Sequence, residues 1–133
     1  MSENLVQFLA QNQIEGITKE VCIGGRLKGF TFKIKPMNSN QFYKYQQLST
    51  AIGKDKNVKF NSGRFNELVI LNHVIEPNLR STDVLSSAGC GTPEEYLNKV
   101  FLAGELIELS DKISQISGFN QSDEQLEEQV KNS

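Results

Sequence analysis

An α+β fold, mainly a helical bundle with an N-terminal β-hairpin, is what this sequence predicts, and three observations carry the prediction. Over residues 17–35 apolar and polar residues alternate, whereas from residue 39 to 118 apolar residues recur at spacings of three and four. Glycines and prolines fall between the periodic stretches, where chain reversals belong. A length of 133 residues suffices for one hydrophobic core but not for two independent ones. The expected organisation is a single globular domain over residues 1–119, with the hairpin at about 17–35 and helices at about 39–118, followed by an acidic, polar tail over 120–133.

The chain opens on a short amphipathic helix in which Leu5, Val6, Phe8 and Leu9 share one side and Ser2 can serve as N-cap. A helix of that length is marginal alone, so its apolar side must dock on the core or on a partner. ITKEVCIGG and GFTFKIKP then read as two strands. The first sets Val21 and Ile23 against Glu20 and Cys22; the second sets Phe30, Phe32 and Ile34 against Thr31, Lys33 and Lys35. Gly24, Gly25 and Gly29 bracket their connection, and Pro36, which lacks a donor, closes the second strand.

After Pro36 the period changes. Asn38 to Gln41 is a capping-box pattern, and Phe42, Tyr45, Leu48 and Ile52 continue one face of a helix that Gly53 ends. GKDKNVKFNSG is a polar connector with one short extended piece at Val58 and Phe60. Phe65 to Ile75 is the most apolar segment, with apolar residues around most of its circumference, which predicts a central helix stopped at Glu76-Pro77. Residues 78–91 read as an irregular crossing with one helical turn around Asp83 to Ser87. Thr92-Pro93-Glu94-Glu95 starts the next helix with an N-cap threonine and a proline at the first helical position. Leu97, Val100 and Phe101 form its apolar side. Ala103-Gly104 then interrupts, and Leu102, Leu106, Leu109, Ile113 and Ile116 recur in a seam too short for an independent coiled coil, as expected of core packing in a bundle. Gly118 stands at a C-cap position, with Phe119 folding back on the preceding turn.

Several function classes are disfavoured. No apolar run approaches the roughly 20 residues that span a bilayer, and Glu3 stands where a signal peptide carries positive charge. Cys22 and Cys90 lack the partners and spacing of a disulfide framework or metal site and read as buried or half-buried thiols. His73, the one histidine, has no nucleophile or acid patterned around it; a lone histidine in an apolar helix reads as a hydrogen-bonded core residue. Glu94, Glu95, Glu105 and Glu108 suit first-turn and outer-face positions better than paired catalytic carboxylates. No catalytic, cofactor or metal site is expected.

Nucleic acid is the alternative that needs weighing. Residues 19–64 hold ten Lys or Arg against Glu20 and Asp55, whereas residues 65–133 hold four against twelve Asp or Glu. KGFTFKIK also resembles the aromatic strand of RNA-recognition domains. In that strand, however, the positions of Lys33 and Lys35 face the interior, and burying two ammonium groups costs several kcal/mol each. The opposite orientation buries Phe30, Phe32 and Ile34 and leaves the lysines in water. GGRLKG lacks the Lys-Ser or Lys-Thr of a phosphate loop and falls between strands, so it reads as a turn. A nucleic-acid-binding regulator using the basic segment 26–64 stays open as the alternative function.

Residues 74–120 carry a more specific pattern: Pro77 and Leu79, Asp83 and Leu85, Pro93, Glu94 and Leu97, then Gly104-Glu105 and finally Gly118-Phe119. Together with EVCIGGRLK and the Phe-x-Phe-Lys-Ile strand leading into a capped helix, this resembles the XkdN-like phage tail assembly chaperones over nearly the whole chain. One departure is Ala103, where the pattern has proline ahead of Gly-Glu. The resemblance implies a non-enzymatic protein of phage or prophage tail morphogenesis, in the host cell cytoplasm, that binds the tape measure protein and possibly tail tube subunits. It further implies a longer product made by translational frameshifting near the C-terminus and absence from the finished virion. No nucleic acid, membrane or cofactor is expected; self-association is possible. The candidate partner-binding residues are Leu5, Phe8 and Leu9 of the N-terminal helix and Leu126 and Val130 of the acidic tail.

Overall fold

The computed structural model describes residues 2–119 and is α+β, with six α-helices and two small antiparallel sheets. In chain order these are α1 (Ser2–Gln11), β1 (Lys19–Val21), β2 (Phe32–Ile34), α2 (Ser39–Leu48), β3 (Thr50–Ile52), β4 (Val58–Phe60), α3 (Ser62–His73), β5 (Val74–Glu76), α4 (Thr82–Ser87), α5 (Pro93–Val100) and α6 (Ala103–Ile116). The tail over 120–133, with its candidates Leu126 and Val130, lies outside the described residues.

The first sheet has the order β1-β2-β5. Val21 pairs with Phe32 on its buried face, while Lys33 stands opposite Glu20 on one side and Glu76 on the other. Opposite charges facing each other across strands contribute a few tenths of a kcal/mol to about 1 kcal/mol per pair. The face is therefore set as the alternation predicts, with Phe32 and Ile34 buried and Lys35 exposed. Phe30 departs from it: 46% of its surface is open. Its N–H bonds to the Leu27 carbonyl at 2.9 Å, which makes it part of the turn after the 3-10 segment Gly25–Leu27 rather than of β2. Its ring packs edge-on against Phe32 at 5.0 Å.

Strand β5 corrects the prediction of a helix through Ile75. The helix stops at His73, and the β-branched pair Val74-Ile75 fills the second edge of β2, whose backbone groups would otherwise lack partners. Helix α2 also ends earlier than expected, at Leu48 rather than near Gly53. The Thr50 hydroxyl donates to the Gln46 carbonyl at 2.6 Å, a local bond that competes with continuing the helix. Residues 50–52 instead form a hairpin with β4 in which Ile52 is exposed, as is Leu48 at the end of α2. Its turn is shaped by Asp55, which accepts from the Asn57 N–H at 3.1 Å and from its Nδ2 at 2.8 Å.

Helix α3 packs against α2, α5 and α6, burying Val69, Ile70 and Leu71. The α6 seam supplies Leu109 and Ile113, both fully buried, with Leu106 and Ile116 packed beside them. Helix starts follow the sequence. Asn38 and Gln41 form a reciprocal capping box with bonds of 2.9 Å, and the Thr92 side chain accepts from the Glu95 N–H at 3.1 Å. At the end of α6, Gly118 (φ 103°) forms a Schellman cap, and the Phe119 N–H bonds to the Ser114 carbonyl at 3.0 Å. The Phe119 ring packs tilted against Phe42 of α2, with centroids 4.9 Å apart.

Glu105 corrects its outer-face assignment. It is buried, caps α6 by accepting from the Leu102 N–H at 2.7 Å, and meets the Arg26 guanidinium at 2.8 Å. The same guanidinium donates to the Val100 carbonyl. Proline is thus unnecessary before Gly104, because Glu105 and Arg26 fix the α5–α6 break. Helix α6 is tied further by Glu108, which accepts from the Gly24 N–H at 3.0 Å, and by Ser117 Oγ, which accepts from the Met37 N–H at 3.0 Å. Cys90 is buried as expected, whereas Cys22 is exposed, contrary to the expectation for it, because residue 22 faces outward beside β1.

Candidate interaction surface

Helix α1 carries its apolar residues in the open. Leu5, Phe8 and Leu9 have 59, 65 and 54% of their surface exposed, and Val6 is equally bare. The spacing of Leu5, Phe8 and Leu9 puts them on one helical face. Asn12 closes the helix by donating from Nδ2 to the Phe8 carbonyl at 2.8 Å. Of the sequence-predicted partner residues these three are therefore together and accessible. In the last helix Leu109 and Ile113 are core, while Ile107, and Leu102 at the N-cap, are exposed large apolar residues.

The β3–β4 ribbon is a second open apolar surface, one that the sequence reading treated as connector. Ile52 pairs with Val58 and Thr50 with Phe60, so these four side chains share a face, and Ile52 is 75% exposed. The signal was the alternation Val58-Lys59-Phe60 facing the β-branched residues before Gly53. A third feature is a cleft of about 300 Å³ lined mainly by the apolar residues Leu27, Phe30, Pro77, Leu79, Tyr96 and Phe101, with Arg26 also lining it.

Chemistry is sparse. His73 is fully buried, with Nε2 hydrogen-bonded to the Tyr45 hydroxyl at 2.8 Å and Nδ1 without a partner among the described residues. Burial, reinforced by the charge of Lys35, lowers its pKa to about 4, so it is neutral near pH 7. Burial likewise raises the Tyr45 hydroxyl. Glu105 is held below the ordinary carboxyl value, chiefly by the hydrogen bond from Arg26. Neither His73 nor Tyr45 lines the cleft described above, and the described residues contain no cluster of three or more His, Cys, Asp or Glu able to hold a metal. Charge in the basic segment is partly engaged: Arg26 meets Glu105, and Arg64 meets Glu67 at 3.4 Å and Glu94 at 3.3 Å. With Phe32 buried, Phe30 alone of the two rings is open for base stacking. Among the described residues no helix is long and apolar enough to cross a membrane.

No curated protein sequence matches the chain. The crystal structure of the protein yqbn superposes with a TM-score of 0.53 at 15% identity, covering 76% of this chain and 86% of that one, which establishes a shared fold. A family model describing the phage XkdN-like tail assembly chaperone protein matches residues 5–131. That span takes in α1, both sheets and the capped helices as one unit, and the chain belongs to the XkdN-like phage tail assembly chaperones.

Proposed function

We propose that this chaperone binds the tape measure protein during tail morphogenesis, without catalysis, in the cytoplasm of the host cell. The observation that carries this reading is the α1 face, Leu5, Phe8 and Leu9, held open to solvent at the start of a folded body. A tape measure protein is long, helical and amphipathic, and before the tube forms around it its apolar stripe needs cover. An exposed apolar helix face supplies that cover by helix-to-helix packing, at about 25 cal/mol per Å² of apolar surface removed from water. Leu126 and Val130, four residues apart, add a second apolar pair in the acidic tail. Tail tube subunits are further clients of the same kind, and self-association through α1 is the competing use of the surface.

Co-expression tests the reading. The tape measure protein is expected in the soluble fraction as a complex with this chain. Leu5→Asp, Phe8→Asp and Leu9→Asp together are expected to leave the chaperone folded and return the client to the pellet. A tape measure protein equally insoluble with and without the chaperone would overturn it.

A further inference from the structure

We propose that two copies of this chain join through the free edge of β3, as an antiparallel β3–β3 pair centred on Ala51. The ladder of the β3–β4 ribbon shows which groups that edge offers. The Asn61 N–H bonds to the Ser49 carbonyl at 2.7 Å and the Gly53 N–H to the Asn57 carbonyl at 2.9 Å, so the hydrogen-bonded pairs are 49 with 61, 51 with 59 and 53 with 57. Ala51 therefore turns its backbone groups toward Lys59, while Thr50 and Ile52 direct theirs outward. Among the described residues no strand lies beyond them. On β4 the outward groups belong to Val58 and Phe60.

The two edges differ in charge. A bare edge strand invites pairing, and a lysine on it is a common deterrent. β4 carries Lys59 at its centre, whereas Thr50, Ala51 and Ile52 carry no charge. A two-fold pair of β4 strands centred on residue 59 would set Lys59 against its own copy in the close, non-hydrogen-bonded kind of pair, which is unfavourable. A two-fold pair of β3 strands sets Ala51 against Ala51 there, and two methyl groups meet without a clash. It also sets each Thr50 opposite the partner copy's Ile52, where both backbone hydrogen bonds are exchanged and β-branched side chains face each other.

Pairing also remedies the ribbon's weakness. A two-stranded hairpin is marginal by itself, and every residue of these two strands is exposed. Joining two ribbons at β3 makes one four-stranded sheet in the order β4-β3-β3-β4. Thr50, Ile52, Val58 and Phe60 of both copies then share one face, and Ile52, 75% exposed in the single chain, has the most surface to cover. A contact between three-residue strands falls below the roughly 1,200 Å² of a stable interface, so this dimer is weak and forms at high concentration. The inference holds whichever client α1 binds.

Disulfide trapping tests it. Cα atoms in the close kind of pair lie about 4.5 Å apart, within disulfide reach. The full chain carrying Cys22→Ser and Ala51→Cys, at about 100 µM in a glutathione redox buffer, is expected to form covalent dimer about tenfold faster than the natural chain does through its exposed Cys22. Adding Ile52→Pro, which removes an outward N–H, is expected to slow trapping about tenfold while the circular dichroism spectrum is unchanged. Adding Leu5→Asp and Phe8→Asp instead is expected to leave trapping as it was. Trapping no faster than through Cys22 would mean chance collision and overturn the proposal, whatever Ile52→Pro does to folding. Trapping unaffected by a folded Ile52→Pro variant, or lost with the α1 substitutions, would make another surface the contact and overturn it equally. Failure of client capture by α1 leaves this result untouched, and the reverse also holds.

Discussion

Among the described residues, consecutive three-residue strands pair antiparallel twice, β1 with β2 and β3 with β4, and the two pairs meet opposite fates. In the first, Phe32 and Ile34 lie under helices and a third strand is recruited from the end of α3. In the second, every residue is exposed. One strand of each pair, β2 and β4, alternates apolar with polar residues and carries a lysine, Lys33 or Lys59, on the opposite face. Alternation thus decides which side chains share a face, and the position of the helices decides whether that face is covered. β2 lies within the core formed with α3 and α6, whereas the ribbon springs from the α2–α3 junction, anchored there by the Asn61 N–H bonding to the Ser49 carbonyl at 2.7 Å.

If that contrast is right, equal truncations on the two sheets differ widely. Phe32→Ala should cost about 3–5 kcal/mol by denaturant unfolding, the range for a buried aromatic that leaves a cavity. Phe60→Ala, at a half-exposed ring, should cost less than about 1 kcal/mol. Comparable values would mean that the ribbon is part of the cooperative core.

A pH series sharpens the contrast, because His73 lies on the packed side, immediately before β5. Its folded pKa of about 4 is below the unfolded value of 6.5, so the unfolded chain takes up a proton first as pH falls. The neutral-His contribution is complete above pH 6.5 and is lost between there and pH 4, about 3 kcal/mol in all. Glu105 follows at lower pH: its depressed carboxyl contributes fully above 4.5 and loses that contribution as pH falls through its folded value. Urea midpoints should therefore decline from pH 6.5 downward, and His73→Leu should flatten the upper part of that decline.

Smaller effects come from the edges. Asn38→Ala removes a reciprocal capping box and should cost about 1 kcal/mol by thermal unfolding. The smallest effect on stability is expected at α1. Leu5→Asp with Phe8→Asp should shift unfolding by no more than about 0.5 kcal/mol, since both side chains are exposed, while client capture is lost. A large loss of stability there would make α1 a core element rather than a docking one.

Much of this molecule follows from local chemistry. The capping boxes, the proline-led start of α5, the α6 seam and the glycine stop at residue 118 depend on neighbours within about one helical turn, so a linear reading finds them. The inward Phe32 and outward lysines follow from desolvation cost, which also needs no knowledge of the partner strand. The α1 face was legible for the same reason, as an apolar helix too short to stand alone.

What the linear reading missed depends on contacts far apart along the chain. Glu105 looked like a surface acid until Arg26, distant in sequence, was beside it. Val74 and Ile75 continue a helical pattern perfectly well, and only the vacant edge of β2 turns them into a strand. Ile52 fits the α2 face, yet pairing with Val58 draws it into the ribbon. Sequence by itself determined which residues are apolar, where helices start and which way one strand faces, because these are short-range balances of hydration and hydrogen bonding. Tertiary structure alone decided which apolar faces are covered and which buried charge finds its partner, because burial and pairing depend on what arrives from elsewhere in the chain.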